Sequence, residues 1–203
     1  MAPDYQSLGL ALSQQQTGLV LEVVGSLDST NSELMRRARA GIGQPTLLVA
    51  QHQTAGRGRL GRQWLSQEHH TGNDGSRAAG ESLTFSLVLP LTVADWSGLS
   101  LAVGLSLASS LHPDLRLKWP NDVLLAGGKV AGILLESHLV GERHVAIIGF
   151  GVNCASHPAE TNHRATSLSA SAIAAIRTVW RKVTPSLRSE RANRSAAITP
   201  ASW

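Results

Sequence analysis

The sequence has few cysteines and no long apolar run, and each absence excludes a class of protein. Cys154 is the single cysteine, so an internal disulfide and a zinc site built on several thiolates are both excluded. No uninterrupted apolar run reaches the ~18 residues that a membrane-spanning helix needs. The first 16 residues lack a basic cluster followed by an apolar segment, so no secretory signal is predicted. We therefore expect a soluble, cytoplasmic protein that makes no membrane contact.

Excess positive charge is confined to the C-terminal part of the chain. The formal net charge is +4, yet residues 1–160 carry 11 basic and 13 acidic side chains. Residues 161–203 carry seven basic side chains and one acidic side chain, Glu190. The basic character belongs to the tail, so the body of the protein is not expected to bind nucleic acid.

The distribution of apolar residues predicts one main domain. With 42% hydrophobic residues in 203, the chain can bury one sizeable core. A capping-box sequence at Thr30-Asn31-Ser32-Glu33 predicts a helix that ends near Ala40, and a second helix is predicted over 95–111. Strands are predicted over 21–24, 46–51, 83–89, 115–118, 123–126, 129–136 and 145–152, with Gly127-Gly128 as the turn between the fifth and the sixth. Hairpins without strict strand-helix alternation predict an α+β fold, with a mixed, largely antiparallel sheet flanked by helices.

Both ends of the chain differ in character from the part between them. Residues 1–20 are polar without a sustained period and are expected to form a short leader. After Leu168 the composition changes, and although residues 170–179 could form a helix, residues 186–203 are rich in Arg, Ser and Ala. We predict that the basic tail over 169–203 is disordered or truncated.

A loop rich in glycine and arginine is the most informative segment. Gly56-Arg57-Gly58-Arg59-Leu60-Gly61 satisfies the G-x-G-x-x-G pattern and follows a predicted strand. A dinucleotide-binding fold requires a helix at the third glycine, and the following sequence Arg62-Gln63-Trp64 offers none. Arginines between the glycines instead favour side chains that close over a polyanion.

Three further segments carry polar groups at strand ends. Lys118-Trp119-Pro120-Asn121-Asp122 combines a cation, an aromatic ring and a rigid turn. Gly132 lies within the strand that begins at Lys129, and Gly149-Phe150-Gly151-Val152-Asn153 ends a strand in a similar way. Glycine inside a strand marks a bulge or the close approach of a ligand or another backbone, and both remain open here. His52, His69 and His70 lack a carboxylate or cysteine pattern, so they are interpreted as surface residues rather than metal ligands.

Five segments in this order resemble the catalytic domain of biotin protein ligases, over about residues 21–168. They are Ser29 to Asn31, Gln53 to Trp64, Lys118 to Asp122, Lys129 to Leu134 and Gly149 to Asn153. The resemblance implies a fold related to class II aminoacyl-tRNA synthetases. It also implies ATP- and Mg²⁺-dependent formation of biotinyl-5′-AMP, and transfer of biotin to a lysine of a carboxylase's biotin carboxyl carrier protein domain. A monomer or weak homodimer is expected.

The resemblance also assigns the site residues. Biotin-binding residues are implied to be Ser29, Thr30, Asn31, Gln53, Gly56, Arg57, Gly58, Arg59, Lys129 and Gly132. Nucleotide-binding residues are implied to be Arg59, Arg62, Trp64, Asn121, Lys129 and Asn153. Lys129, Arg57 and Arg59 are implied to be catalytic, and Asp122 is implied to help place Mg²⁺.

Two other functions remain open. The first is a lipoate or octanoate ligase of the same fold, and the second is a truncated remnant that holds biotin without transferring it. The second arises because family members usually continue through further helices into a small SH3-like domain, whereas residues 169–203 lack a suitable composition. We expect a truncation or a change of reading frame near Ser169. No helix-turn-helix precedes Leu21, so a repressor function is not expected.

Overall fold

The computed structural model describes residues 19–66, 82–91, 96, 98–154 and 166. Residues 1–18 of the predicted leader, the polar excursion with His69 and His70, and the tail over 169–203 lie outside the described residues. The leader was predicted to extend to residue 20, but Leu19 is buried in the core and Val20 begins the first strand. The strands are β1 (Val20–Leu27), β2 (Thr46–Gln53), β3 (Ser82–Pro90), β4 (Arg116–Lys118), β5 (Asp122–Leu125), β6 (Gly128–Val140) and β7 (Arg143–Asn153). The helices are α1 (Thr30–Arg39) and α2 (Leu99–Leu111), and a single 3₁₀ turn covers Arg59–Gly61.

The described strands form one seven-stranded sheet in the order β1-β2-β3-β7-β6-β5-β4. β1 and β2 are parallel, and the other neighbouring pairs are antiparallel. The α+β prediction with a mixed, largely antiparallel sheet is therefore confirmed.

The two helices pack on opposite faces of this sheet. Alternate strand residues point to opposite faces, so neighbours such as Leu47 and Leu48 belong to different clusters. Leu34, Met35 and Ala38 of α1 pack with Leu48, Val88 and Ile147. Leu99, Val103 and Leu107 of α2 belong to a larger cluster on the other face, with Leu47, Val49 and Ile148. Burying one such leucine contributes about 1.5–3 kcal/mol, so both faces anchor the sheet.

The start of α1 differs from the predicted capping box. Ser29 is the N-cap residue, and its hydroxyl accepts the backbone N–H of Ser32 at 3.4 Å. Thr30 is already helical, and its hydroxyl contacts Gln53 instead of capping the helix. The Glu33 carboxylate accepts from Arg36 and Arg37 and does not reach back to the helix start. The prediction was wrong by one residue because Ser29, also a good cap, precedes Thr30.

Strand ends and one turn also differ from the prediction. β1 continues through Gly25 to Leu27 because its parallel pairing with β2 extends to Leu27–Gln53. The turn between β5 and β6 places positive φ at Ala126 and Gly127, not at the predicted Gly127-Gly128. Gly128 begins β6 and pairs with Leu125. Neither described helix is long and apolar enough to cross a membrane.

Candidate active site

A cavity of about 820 Å³ opens on the sheet face that carries α1. Its floor comes from β3, β6 and β7, where Ser86 pairs with Gly149 and Gly132 pairs with Gly151. One side is the N-terminus of α1, and the opposite side is the segment from Trp119 to Asp122. The described segment 54–66 that follows β2 covers it, since Arg57, Arg59 and Trp64 all line the cavity.

Buried polar groups form one end of the cavity. The backbone N–H and the hydroxyl of Thr30 donate to Gln53 Oε1, at 2.7 and 3.0 Å. Ser86 Oγ lies 2.6 Å from both Thr30 Oγ1 and Asn31 Oδ1. The Ser86 hydroxyl has one proton and donates to one of these oxygens at a time. This end therefore offers fixed donors and acceptors in an apolar surrounding, which suits a neutral polar ligand group.

Strand glycines make room for side chains of the protein itself. A Cβ on Gly149 would meet Asn31 Oδ1, and a Cβ on Gly151 would lie within 2.5 Å of Trp64 Cζ2. At Gly132 a Cβ would lie 3.3 Å from Lys129 Nζ. The sequence left open a bulge or the close approach of a ligand or another backbone, whereas the groups that approach these three glycines most closely are side chains of the protein.

The glycine-arginine segment is a small hairpin, not the start of a helix. Trp64 N donates to Gly56 O at 2.9 Å and Gly58 N donates to Arg62 O at 2.7 Å. The 3₁₀ turn includes Leu60 at φ 57°, and the Leu60 side chain is 87% exposed at the hairpin tip. No helix begins at Gly61 or within the described residues up to Ser66, so the dinucleotide-binding interpretation is excluded for this loop.

The two arginines of the hairpin have different partners. Arg57 Nη2 donates to Glu136 Oε1 at 2.5 Å, and its Nη1 donates to Ser32 Oγ at 3.1 Å. Arg59 Nη1 lies 3.5 Å from Asn121 Oδ1 across the cavity mouth. The hairpin is therefore tethered to α1 and β6 on one side and approaches the β4–β5 turn on the other.

Lys129 lies at the other end of the cavity. Its Nζ is 2.8 Å from Asp122 Oδ1 and 6.0 Å from the centroid of the Trp64 ring. Asn121 Nδ2 donates to Ile133 O at 2.8 Å, and Asn153 Nδ2 donates to Lys129 O at 3.3 Å. Among the described residues, Trp64 Nε1 and Asn153 Oδ1 are buried without a hydrogen-bond partner. Unpartnered buried polar atoms are uncommon, so these two are candidate ligand contacts.

The charge of the cavity favours an anion. Among the lining residues that the structure describes, four are cationic, namely Arg57, Arg59, Arg62 and Lys129, and one, Asp122, is a carboxylate. No group of three or more potential metal ligands occurs in the ranges that the structure describes. The excess of cations suits a phosphate-bearing ligand.

The structure brings the predicted site residues together. All of them line the cavity except Gly56, at the base of the hairpin, where a Cβ would lie 3.0 Å from Nε2 of the lining residue Gln53. Sequence reasoning missed Ser86 and Glu136, and it named Gly149 in a motif without giving it a place in the site. A serine inside an apolar strand was the available signal for Ser86, whereas the contacts of Glu136 depend on the sheet register.

Comparison with known proteins agrees with this geometry. Residues 78–153 match the Biotin/lipoate A/B protein ligase family. A biotin--[acetyl-CoA-carboxylase] ligase of Mycobacterium tuberculosis is 40% identical over 159 residues, which are 73% of this chain and 54% of the relative. A ligase of the same name from Paracoccus denitrificans is 41% identical over 138 residues, covering 64% of this chain and 53% of the relative.

A solved structure extends the comparison to the fold. The biotin protein ligase of Aquifex aeolicus, in complex with biotin and ATP, is 31% identical with a TM-score of 0.64. The match covers 83% of this chain and 70% of that one. This chain spans about half the length of the two curated relatives. On this evidence the chain belongs to the biotin protein ligases, within the biotin/lipoate A/B protein ligase family.

Proposed function

We propose that this chain joins biotin to AMP at the expense of ATP, and transfers the biotinyl group to a lysine of a carboxylase's biotin carboxyl carrier protein domain. The observation that carries the proposal is the two-ended cavity. A buried hydrogen-bonding end at α1 is continuous with a cationic end at Lys129 and Arg59. The Aquifex relative, whose structure contains biotin and ATP, supports the proposal.

The polar end is proposed to bind the ureido group of biotin. A ureido group presents one carbonyl acceptor and two N–H donors, and it is neutral. Ser29, Thr30, Asn31 and Gln53 are buried there and supply hydroxyl and amide groups of both kinds. A buried site built on hydrogen bonds discriminates strongly against ligands that lack matching groups, so this end would select biotin over lipoate.

The cationic end is proposed to support adenylation. An oxygen of the biotin carboxylate attacks the α-phosphorus of ATP, the bond from that phosphorus to the bridging oxygen breaks, and pyrophosphate leaves. Because both reactants are anions, Lys129, Arg57 and Arg59 would offset their repulsion and stabilise the charge that develops on the phosphoryl oxygens. Trp64, Arg62, Asn121 and Asn153 would bind the nucleotide.

Magnesium is proposed as a further source of positive charge. A bound Mg²⁺ would neutralise phosphate oxygens, and such ions are held through one or two carboxylates together with substrate phosphates. Asp122 is a carboxylate of the cavity wall and is mostly buried, so a site of this kind fits the residues present.

The hairpin over the cavity is proposed to protect the intermediate. Biotinyl-5′-AMP is a mixed anhydride that water hydrolyses, so a covered site preserves it. In the second reaction the amine of the acceptor lysine attacks the biotinyl carbonyl, loses a proton, and AMP leaves. No enzyme nucleophile is required. We also propose a cytoplasmic location, where ATP and a carboxylase acceptor would both be present.

Pyrophosphate release tests the proposal. The purified chain with biotin, ATP and Mg²⁺ is expected to release pyrophosphate, and an added carrier domain is expected to become biotinylated. Lys129→Ala is expected to lower pyrophosphate release by at least about 10³-fold, because a cation at a phosphoryl-transfer site contributes about that much. Weak biotin binding, followed by calorimetry, is expected to remain in this variant.

The same assay separates the alternatives. Adenylation of lipoate but not biotin would identify a lipoate ligase. Biotin binding without pyrophosphate release would identify an inactive biotin-binding remnant. Unchanged pyrophosphate release by Lys129→Ala would refute the role given to this lysine.

A further inference from the structure

We infer that Glu136 is a positioning residue that anchors the glycine-arginine hairpin over the cavity through Arg57. The inference deepens the proposed function and rests on it, because closure of the hairpin matters only if the cavity holds a reactive ligand. Glu136 lies on β6, outside the segments that resemble the family and outside the lining of the cavity.

The two carboxylate oxygens of Glu136 have different partners. Oε1 accepts from Arg57 Nη2 at 2.5 Å, and Oε2 accepts from Asn31 Nδ2 at 2.9 Å. The side chain of Glu136 is 21% exposed, compared with 44% for Arg57. A pair that is partly shielded from water and linked by a charge-assisted hydrogen bond is stronger than an open surface pair.

This arrangement links the hairpin to the buried polar end of the cavity. Asn31 Oδ1 accepts from Ser86, and Asn31 Nδ2 also lies 3.3 Å from Leu134 O. Both the oxygen and the nitrogen of the Asn31 amide are therefore hydrogen-bonded, and Glu136 is one of the partners of the nitrogen. One carboxylate thus orients a residue of the polar end and holds the arginine that closes the cavity.

The two arginines consequently act differently. Two N–H groups of Arg57 are committed to Glu136 and Ser32, so this side chain fixes the base of the hairpin. Within the part of the chain that the structure describes, Arg59 makes one long contact, 3.5 Å from its Nη1 to Asn121 Oδ1, and can adjust to a bound phosphate. Glu136 accordingly sets how often the hairpin is closed and where the Arg57 guanidinium lies at the cavity, whereas Arg59 can move toward a bound ligand.

Amide hydrogen exchange of residues 55–65 tests the inference with biotin present and absent. Glu136→Gln retains an oxygen for Asn31 but removes the charge that Arg57 requires. Exchange in this segment is expected to rise about 10-fold, because opening is governed by the local free energy that the pair supplies. Glu142→Gln, in the exposed turn after β6, is the matched control and is expected to leave exchange unchanged.

A double-mutant cycle separates positioning from general structural support. In the Arg57→Ala background, exchange of residues 55–65 is expected to be already fast, and adding Glu136→Gln is expected to change it less than twofold. In the steady state, Glu136→Gln is expected to raise KM for biotin several-fold and to lower kcat by a smaller factor, since it alters closure on the bound ligand and loosens Arg57.

The possible outcomes distinguish this inference from the proposed function. Additive effects of Glu136→Gln and Arg57→Ala, or equal exchange in Glu136→Gln and the wild type, would overturn the positioning role. Absence of pyrophosphate release by the wild type would overturn the proposed function, and the exchange cycle would still decide whether Glu136 holds Arg57.

Discussion

Lys129 and Asp122 form an ion pair at the cationic end of the cavity. Their distance of 2.8 Å and their partial burial mean that each restricts the other's position. A free lysine side chain has about 2 kcal/mol of rotamer entropy, so a carboxylate that holds the amine reduces the ordering needed when a ligand binds. Asp122 therefore has two roles open to it, in holding Lys129 and in placing Mg²⁺.

Asp122→Asn separates these two roles. Pyrophosphate release is expected to fall about 10-fold or more, because the Lys129 amine loses its charged neighbour. If Asp122 also helps to hold Mg²⁺, the half-saturating Mg²⁺ concentration is expected to rise in a titration at fixed ATP. Asp114→Asn, at an exposed position before β4, serves as the control. A lower rate at an unchanged Mg²⁺ midpoint would restrict Asp122 to the lysine.

Sequence reasoning identified the site residues that belong to short motifs of consecutive residues. The motif at Ser29 to Asn31 and the arginine hairpin were recognisable because their residues are neighbours in sequence. Ser86 and Glu136 were not found, since each contacts residues more than 50 positions away. Such contacts follow from sheet register, which a single sequence does not specify when both faces of the strands are apolar.

At the scale of elements, α1 is held to its surroundings by a cluster of ion pairs. Arg36 contacts both Asp28 and Glu33, and Arg37 contacts Glu22 and Glu33. The hydrogen bond from Arg36 lowers the pKa of Asp28 from its ordinary value of 3.8 to about 2. The cluster fixes the helix whose first residues form the polar end of the cavity.

Arg36→Ala is expected to reduce the stability of the chain in a pH-dependent way. The Asp28 carboxylate is lower in pKa when folded, so its contribution is complete above about pH 4 and is lost as pH falls toward 2. Because Asp28 is 41% exposed, the loss is expected to stay below about 1 kcal/mol. Urea unfolding of the wild type and the variant at several pH values measures the difference. A difference that grows as pH falls below 4 would contradict this assignment.

Element types were largely predictable and their ends were not. Seven strands and two helices matched predicted segments because hydrophobic periodicity reports burial directly. The cap of α1 was misplaced because Ser29 and Thr30 are both competent caps, and tertiary contacts decided between them. The Thr30 hydroxyl donates to Gln53 Oε1 on β2 instead of capping the helix, and this is one of the central hydrogen bonds of the site.

At the scale of the whole molecule, the two faces of the sheet differ in what they bury. The α2 face is an uninterrupted apolar cluster, whereas the α1 face combines a smaller apolar cluster with the cavity. The parallel pairing of β1 with β2 follows from α1, which connects them as a crossover. This pairing was not predictable in detail, although a mixed sheet was.

Cys154 provides a probe of global opening. Burial raises the pKa of its thiol to about 11 and its side chain is nearly inaccessible. The raised pKa lowers the thiolate fraction at pH 8 and burial blocks the reagent, so the folded chain is expected to react with a thiol reagent at least about 100-fold more slowly than the unfolded chain. Because Cys154 is the sole cysteine, the absorbance change produced by a chromogenic thiol reagent reports the reaction at this position alone. Comparable rates in buffer and in denaturant would show that the end of β7 opens readily.

The backbone hydrogen bonds within the arginine hairpin reduce the entropy that this segment would lose when a ligand binds. Its own N–H and C=O groups are paired between Gly56 and Trp64 and between Gly58 and Arg62. An unpaired segment of that length would lose about 1–2 kcal/mol of backbone entropy per residue on ordering. A preformed hairpin has already lost most of this entropy, so a larger share of the binding enthalpy is retained as affinity.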